Sequence, residues 1–348
     1  MPDVRLAQAE AYLDAGRAEE ARTLAGQVLA ERPGDLAAGA VETRALLHLG
    51  RDGQARDRVQ RLLAEHPESE QLWRLHAIAS ARLRDFAVAW QSSREAVRLA
   101  PSEWRTHYVA AQVDLWAGHP YADTWNRALE AVRLSPGNPE AHLLFGNVAL
   151  AMKDLRSARQ AYEETLRLDP QNAVARQNLG VVAIRMGDTT AAAAGFAGAL
   201  GLDANVANAQ RNLLVVTRIA LNRVQLIGVG VMFAVVALVM GASAESGRVQ
   251  LTCRLVAFVL WSGALAGAAL YLRRAVRSGG APLRGFLRAF PRRSPDSMTR
   301  VVLLAVALVA LLAIIVAPFP FAVAGVPIAF LSLIICNLIS WVQRFSSP

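Results

Sequence analysis

Two patterns of apolar and polar positions follow one another along the chain. Up to about residue 206, apolar residues come in short runs such as ARTLAGQVLAER, SREAVRLA and AYEETLRLD, mixed with charges at the spacing of amphipathic helices. Beyond residue 207 charges become sparse. Residues 224–244 hold no charge over 21 positions, enough at about 1.5 Å per residue to cross a hydrocarbon core of about 30 Å.

The first pattern repeats. Prolines stand at Pro33, Pro67, Pro101, Pro136 and Pro170, spaced by 34 or 35 residues. Each follows a helical run, which it stops because it lacks an N–H and clashes with the turn behind it. Twelve residues ahead of the prolines lies a small residue: Ala21, Ala55, Ala89, Thr124 and Ala158, with Ala192 continuing the series. A second column, Gly16, Gly50, Gly118 and Gly187, marks a turn inside each unit, with Arg84 and Lys153 replacing glycine in the third and fifth. A third, Ala77, Ala111, Gly146 and Gly180, marks the packed face of a first helix, with Trp73, His107 and His142 at a large-residue position upstream.

These columns resemble the tetratricopeptide repeat (TPR) family, in which a 34-residue helix–turn–helix carries small residues on its packed faces and proline at its end. The fifth unit, PEAHLLFGNVALAMKDLRSARQAYEETLRLDP, is the closest to the pattern, and the sixth has Ala204 where proline is expected. The resemblance implies an all-α solenoid of about six hairpins over residues 1–206, each burying its apolar face only by stacking on its neighbours. It also implies a peptide-binding groove lined by first-helix positions, here Arg44, Arg74, Arg82, Tyr108, Gln112, Asn147, Gln177 and Arg185. Several arginines in that set favour an acidic or C-terminal-carboxylate peptide. Asn147 and Asn178 match two asparagines of a chaperone-type carboxylate clamp. Leu143, Asn208 and Asn212 stand where its basic residues belong, so such a clamp is not expected.

The second pattern predicts a membrane region. Residues 207–223, with Arg211, Arg218 and Asn222 forming one polar stripe, read as a closing helix for the solenoid. Spans are expected at 224–244, 252–272, 301–317 and 321–342, the last two separated around Pro318 and Pro320, followed by a tail at 343–348. Residues 273–300 read as a basic cytoplasmic loop, because Arg273, Arg274, Arg277, Arg284, Arg288, Arg292, Arg293 and Arg300 face the single Asp296. Within it, Arg284, Arg288, Arg292 and Arg293 are candidates for contact with anionic headgroups. Gly263 and Gly267 form a GxxxG pair that permits a homo-oligomer. With four spans both termini are cytoplasmic, in agreement with a first segment, MPDVRLAQAEAYLDAG, that lacks the apolar stretch of a secretory signal. The expected location is the inner (cytoplasmic) membrane.

Charge then changes meaning. Residues 1–206 carry about −3 and residues 207–348 about +12, the latter all arginine beside apolar spans. The overall pI of about 10.6 is therefore a topology signal rather than a nucleic-acid footprint. Cys253 and Cys336 fall at different depths in apolar spans, which excludes a disulfide between them. There is no GxxxxGK[ST] loop, HExxH, CxxC or serine elbow. The six histidines are scattered through the repeats, and His107 and His142 read as packing residues. Neither catalysis, a cofactor nor a metal is expected. The sequence thus points to a membrane-anchored scaffold binding protein partners in the repeat groove; the alternative is an accessory subunit of a transport, secretion or envelope-assembly complex whose spans make the specific contacts.

Overall fold

The computed structural model describes residues 3–118, 122–203, 209–241, 247–293 and 295–316, together with Ser332 and Ile335. All the elements it describes are α-helices. They form two compact units, Met1–Pro170 and Gln171–Pro348.

The first unit is five helical hairpins: α1 (Val4–Asp14) with α2 (Ala18–Glu31), α3 (Leu36–His48) with α4 (Asp52–Glu65), α5 (Glu70–Arg82) with α6 (Phe86–Leu99), α7 (Trp104–Trp116) with α8 (Ala122–Leu134), and α9 (Pro139–Ala151) with α10 (Leu155–Leu168). The connection between hairpins is built by three residues. Proline ends the second helix. Two residues on, Asp35, Ser69, Glu103 or Asn138 caps the next helix by accepting from a backbone N–H of its first turn. Four residues further, a ring N–H reaches back to the proline carbonyl: Trp73 Nε1 to Pro67 at 2.8 Å, His107 Nε2 to Pro101 at 2.8 Å, and His142 Nε2 to Pro136 at 2.9 Å. A carbonyl only accepts, so His107 and His142 carry their proton on Nε2. The large-residue column is therefore a set of clasps.

Inside each hairpin the chain turns through the left-handed region. Gly16, Gly50 and Gly118 have φ between 69° and 76°, and Arg84 (63°) and Lys153 (66°) take the same conformation where glycine is replaced. At Arg84 the two backbone bonds of the helix-ending motif are present, Arg84 N to Ala81 O at 3.0 Å and Asp85 N to Ser80 O at 2.9 Å. A side chain in that region costs about 1 kcal/mol. The small-residue column is the crossing point of the two helices: Ala21, Ala55, Ala89, Thr124 and Ala158 are all fully buried.

The volume at the crossing is shared differently from hairpin to hairpin. In the fifth hairpin the first helix presents Gly146 and the second Tyr162, whose ring sits 2.5–3.0 Å from where a Cβ on Gly146 would be. At the equivalent positions the third and fourth hairpins carry Ala77 with Ser93 and Ala111 with Ala128.

The second unit opens with a hairpin of the same kind, α11 (Ala173–Arg185) and α12 (Thr189–Leu202), turning at Gly187 with φ 83°. Here Gly180 receives the Phe196 ring, and Gly195 sits against the α11 backbone, a Cβ there falling 2.9 Å from Gly180 Cα. Unlike the second helices of the first unit, α12 (TTAAAAGFAGALGL) has no charged residue. It packs on α13 (Ala209–Gly241) and α14 (Gly247–Arg293), with Leu213 and Val216 of α13 in one core with Ala193 and Phe196. The compact unit therefore begins ahead of the sixth hairpin rather than at the change of composition near residue 207. α15 (Pro295–Val316) completes a second core, in which Met232 and Val235 of α13, Ala257 of α14 and Leu304, Ala307 and Leu311 of α15 meet. Trp261 Nε1 donates to Leu308 O at 3.1 Å across it.

Two helical stretches here are long and apolar enough to cross a membrane, Arg211–Leu238 and Leu251–Leu270; the apolar part of α15, Val301–Leu312, is shorter. The closing helix and the first expected span are one unbroken helix, α13. Residues 273–300, expected as a loop, are helical over most of their length: α14 runs on to Arg293 and α15 starts at Pro295. Arginine, alanine and leucine recur through this stretch, and all three favour helix. The fourth expected span at 321–342, apart from Ser332 and Ile335, and Cys336 lie outside the described residues. Cys253 is a free thiol.

Candidate functional site

The first helices α1, α3, α5, α7 and α9 pack against one another in series, so their side chains share one face of the first unit. Six of the expected groove residues lie on these helices: Arg44 on α3, Arg74 and Arg82 on α5, Tyr108 and Gln112 on α7, and Asn147 on α9. Gln177, half-buried, and Arg185, exposed, lie on α11 in the second unit.

The three arginines of the first unit all have partners within it. Arg44 Nη1 stands 3.4 Å from Glu10 Oε1 on α1. Arg74 pairs with Glu70 one turn back on its own helix, Nε to Oε2 at 2.6 Å. Arg82 donates to the Leu47 carbonyl at the end of α3 and stands 3.4 Å from Asp52 Oδ1. The arginine dots of the sequence are therefore salt-bridged, which removes most of the net positive charge that an acidic ligand would feel. Tyr108 is half-buried, edge-on to Trp104 with ring centroids 5.7 Å apart. Burial, and secondarily the Glu140 charge, pushes its hydroxyl up to about 12, so it remains a neutral donor at physiological pH. Asn147 Oδ1 accepts from the Tyr162 hydroxyl at 2.9 Å, which orients the amide. The ring that fills the space at Gly146 thus also positions the neighbouring groove residue.

Two polar groupings were not singled out from the sequence. His76, on α5, is buried: its Nδ1 lies 2.8 Å from Ser92 Oγ and its Nε2 3.3 Å from Gln60 Nε2. The Ser92 hydroxyl already donates to Val88 O, so His76 donates through Nδ1 and accepts through Nε2, a neutral ring with both nitrogens occupied. Burial, then the Arg56 charge, lowers its pKa from the usual value. A cleft of about 480 Å³ among α2, α3 and α4 is lined by Arg22, Glu42, Asp57, Arg58 and Arg61. Its charges are largely internal pairs, Arg58 Nε with Glu42 Oε2 at 2.9 Å and Arg22 with Glu19 at 2.8 Å. No single residue in either grouping had a sequence signal; only the fold brings them together.

The capped 34-residue hairpins and their fully buried small-residue crossings are one repeated unit, and the family comparison matches the tetratricopeptide repeat over residues 12–78 and 149–214. The hairpins in those two stretches are tetratricopeptide repeats. A structure of MamA 41-end from Desulfovibrio magneticus RS-1 is 21% identical, covering 47% of this chain and 93% of its own, with a TM-score of 0.41. Pseudomonas aeruginosa pilF is 19% identical, covering 60% and 95%, with a TM-score of 0.48. The APC/C hetero-tetramer Cut9–Hcn1 is 19% identical, covering 79% of this chain and 56% of that one, with a TM-score of 0.53, a likeness of fold alone. Comparison with curated proteins gives no match. Among the described residues, no group of three His, Cys, Asp or Glu is placed to hold a metal ion.

The side chains of Arg284, Arg288, Arg292 and Arg293 lie outside those described, although their backbone belongs to α14. Gly263 and Gly267 are exposed on α14, and a Cβ at either would meet nothing within 4 Å.

Proposed function

We propose that this chain is a membrane-anchored TPR scaffold that holds a protein partner on the first-helix face of its repeats. The observation that supports the reading is the continuity of α13. Its first turns pack into the sixth hairpin through Leu213 and Val216, and the same helix then becomes an uncharged apolar surface long enough to cross a bilayer. Repeat proteins use such extended faces for binding, and here Tyr108, Gln112 and Asn147 supply a neutral polar strip flanked by paired arginines. In this reading the anchor has four spans with both ends cytoplasmic in the inner membrane, and Arg284, Arg288, Arg292 and Arg293 lie at an anionic leaflet. The partner is a protein, and neither nucleic acid, a cofactor nor catalysis enters.

Crosslinking in intact cells, followed by capture of the full chain, tests the scaffold. Tyr108→Ala with Gln112→Ala should lose the partner while the chain stays in the membrane fraction. Retention of the partner by this variant would reject the groove. Reporter fusions after Gly247 and after Gly280 test topology, and a reporter at 280 on the outer side would sink it. A second reading, an accessory subunit whose spans make the specific contacts, is favoured by the exposed Gly263 and Gly267 on α14, which would let another helix approach closely. It predicts partner loss on Gly263→Leu rather than on the groove substitutions.

A further inference from the structure

Between α13, α14 and α15 lies a crevice of about 410 Å³, lined by Ala220, Arg223 and Gly228 from α13, Gly267 and Ala268 from α14, and Leu304 from α15, among others. Glycines leave part of it open: a Cβ built on Gly228 or Gly267 meets nothing within 4 Å. Its volume falls in the range of about 300–1,000 Å³ typical of sites for small organic ligands. A cavity so apolar gains nothing from water, which finds no partners there.

The one charged residue of the lining is Arg223. Its Nη2 donates to the Gly187 carbonyl at 3.2 Å and its Nη1 to Thr189 Oγ1 at 3.4 Å, both in the turn of the sixth hairpin. Both acceptors are neutral. Among the described residues no carboxylate pairs with Arg223, in contrast to the salt-bridged arginines of the repeats. Arg223 is also the last charge before the uncharged run at 224–244, which puts it at headgroup level when α13 spans a bilayer.

We propose that this crevice takes one acyl chain of an anionic phospholipid, with the lipid phosphate on the Arg223 guanidinium. An apolar slot carrying one un-neutralised guanidinium, held in place by two neutral acceptors, is complementary to a chain that ends in a phosphate. The bound lipid would sit where the last repeat meets the membrane helices, filling space that the small residues leave. The proposal rests on the membrane-anchored reading.

The full-length protein, reconstituted in nanodiscs of equimolar phosphatidylcholine and phosphatidylglycerol and released for native mass spectrometry, should retain phosphatidylglycerol over phosphatidylcholine by about fivefold to tenfold. Arg223→Gln removes the charge and should abolish that preference. Gly267→Leu and, separately, Ala268→Leu fill the slot and should lose the retained lipid with unchanged thermal unfolding. Gly230→Leu, on the exposed side of α13 and outside the lining, should behave as wild type. Equal lipid retention by both filling variants, or an unchanged preference in Arg223→Gln, overturns the proposal. Carbonate extraction separates the two failures: a chain released from membranes refutes the anchor, whereas a membrane-retained chain without lipid refutes the crevice alone.

Discussion

The hairpins of the first unit and the long helices α13 and α14 are both rich in apolar residues but leave opposite ones outside. In the hairpins alanine is fully buried at the crossings, and the outer faces carry Glu–Arg pairs such as Glu95–Arg98, Glu130–Arg133 and Glu164–Arg167, each at 2.6 Å. In α13 and α14 large apolar residues face outward: Leu226 is 69% exposed, Val259 66% and Leu270 63%. The first arrangement suits water, where burying apolar surface is worth about 25 cal/mol per Å². The second suits hydrocarbon, where large side chains lose nothing by exposure and small ones let helices approach.

The contrast breaks most sharply if charge is put on the outer face of α14. Val259→Asp should cost about 2.5–3.5 kcal/mol of insertion, shifting the chain out of the membrane fraction on carbonate extraction; undiminished retention would mean that this face is not in lipid. The corresponding strike on the hairpins is Gly146→Ala, whose Cβ would stand 2.5 Å from Tyr162 Cε1. Loss of about 1–3 kcal/mol, read as faster amide exchange in α9 and α10, is expected. Unchanged exchange would show that the ring can yield.

A smaller effect separates the two regions by pH. His76 is neutral and its pKa is lowered in the fold, so the unfolded chain binds the extra proton as pH falls below about 6.5. Protection of α5 should therefore weaken from about pH 7 toward pH 5, by at most about 1.4 kcal/mol per unit, and His76→Gln should flatten the profile. The facing groups are Gln60 and Arg56 on α4, Ser92 on α6 and Asp85 at the α6 cap. A wild-type profile as flat as the variant's would dismiss His76 as the source. Smallest is Arg84→Gly, which removes a left-handed side chain and should stabilise the third hairpin by about 0.5 kcal/mol in urea unfolding, as should Lys153→Gly in the fifth. Destabilisation by both would indicate that the side chains hold more than the turn costs them.

Much of the hairpin architecture was legible because it repeats. Five prolines and a small-residue column fix helix ends and crossings, and replacement of glycine by Arg84 and Lys153 left the backbone conformation intact. The capping residues two positions after proline were equally periodic but vary among Asp, Ser, Glu and Asn, so identity hid the column. The groove was legible in position and not in charge, since the partners of Arg44 and Arg82, Glu10 and Asp52, come from neighbouring helices. Past residue 272 the charge pattern suggested a connection, but positive charge says which side a segment prefers and nothing about whether its backbone is helical. The crevice had no signature, because glycine and alanine in an apolar helix read alike whether they pack a neighbour or leave a gap.

The ring-to-proline clasps have a consequence for how such an array can grow. Trp73, His107 and His142 each bind the proline carbonyl six residues before, in the unit before, so each clasp straddles the boundary between hairpins. Duplicating or deleting a 34-residue block, wherever it is cut, leaves a ring six residues after each proline carbonyl, whereas a change of any other length between proline and ring breaks that spacing. Lengthening of the array by whole 34-residue steps is thus built into its chemistry, and tryptophan can drift to histidine at this site because either delivers an N–H to the same oxygen.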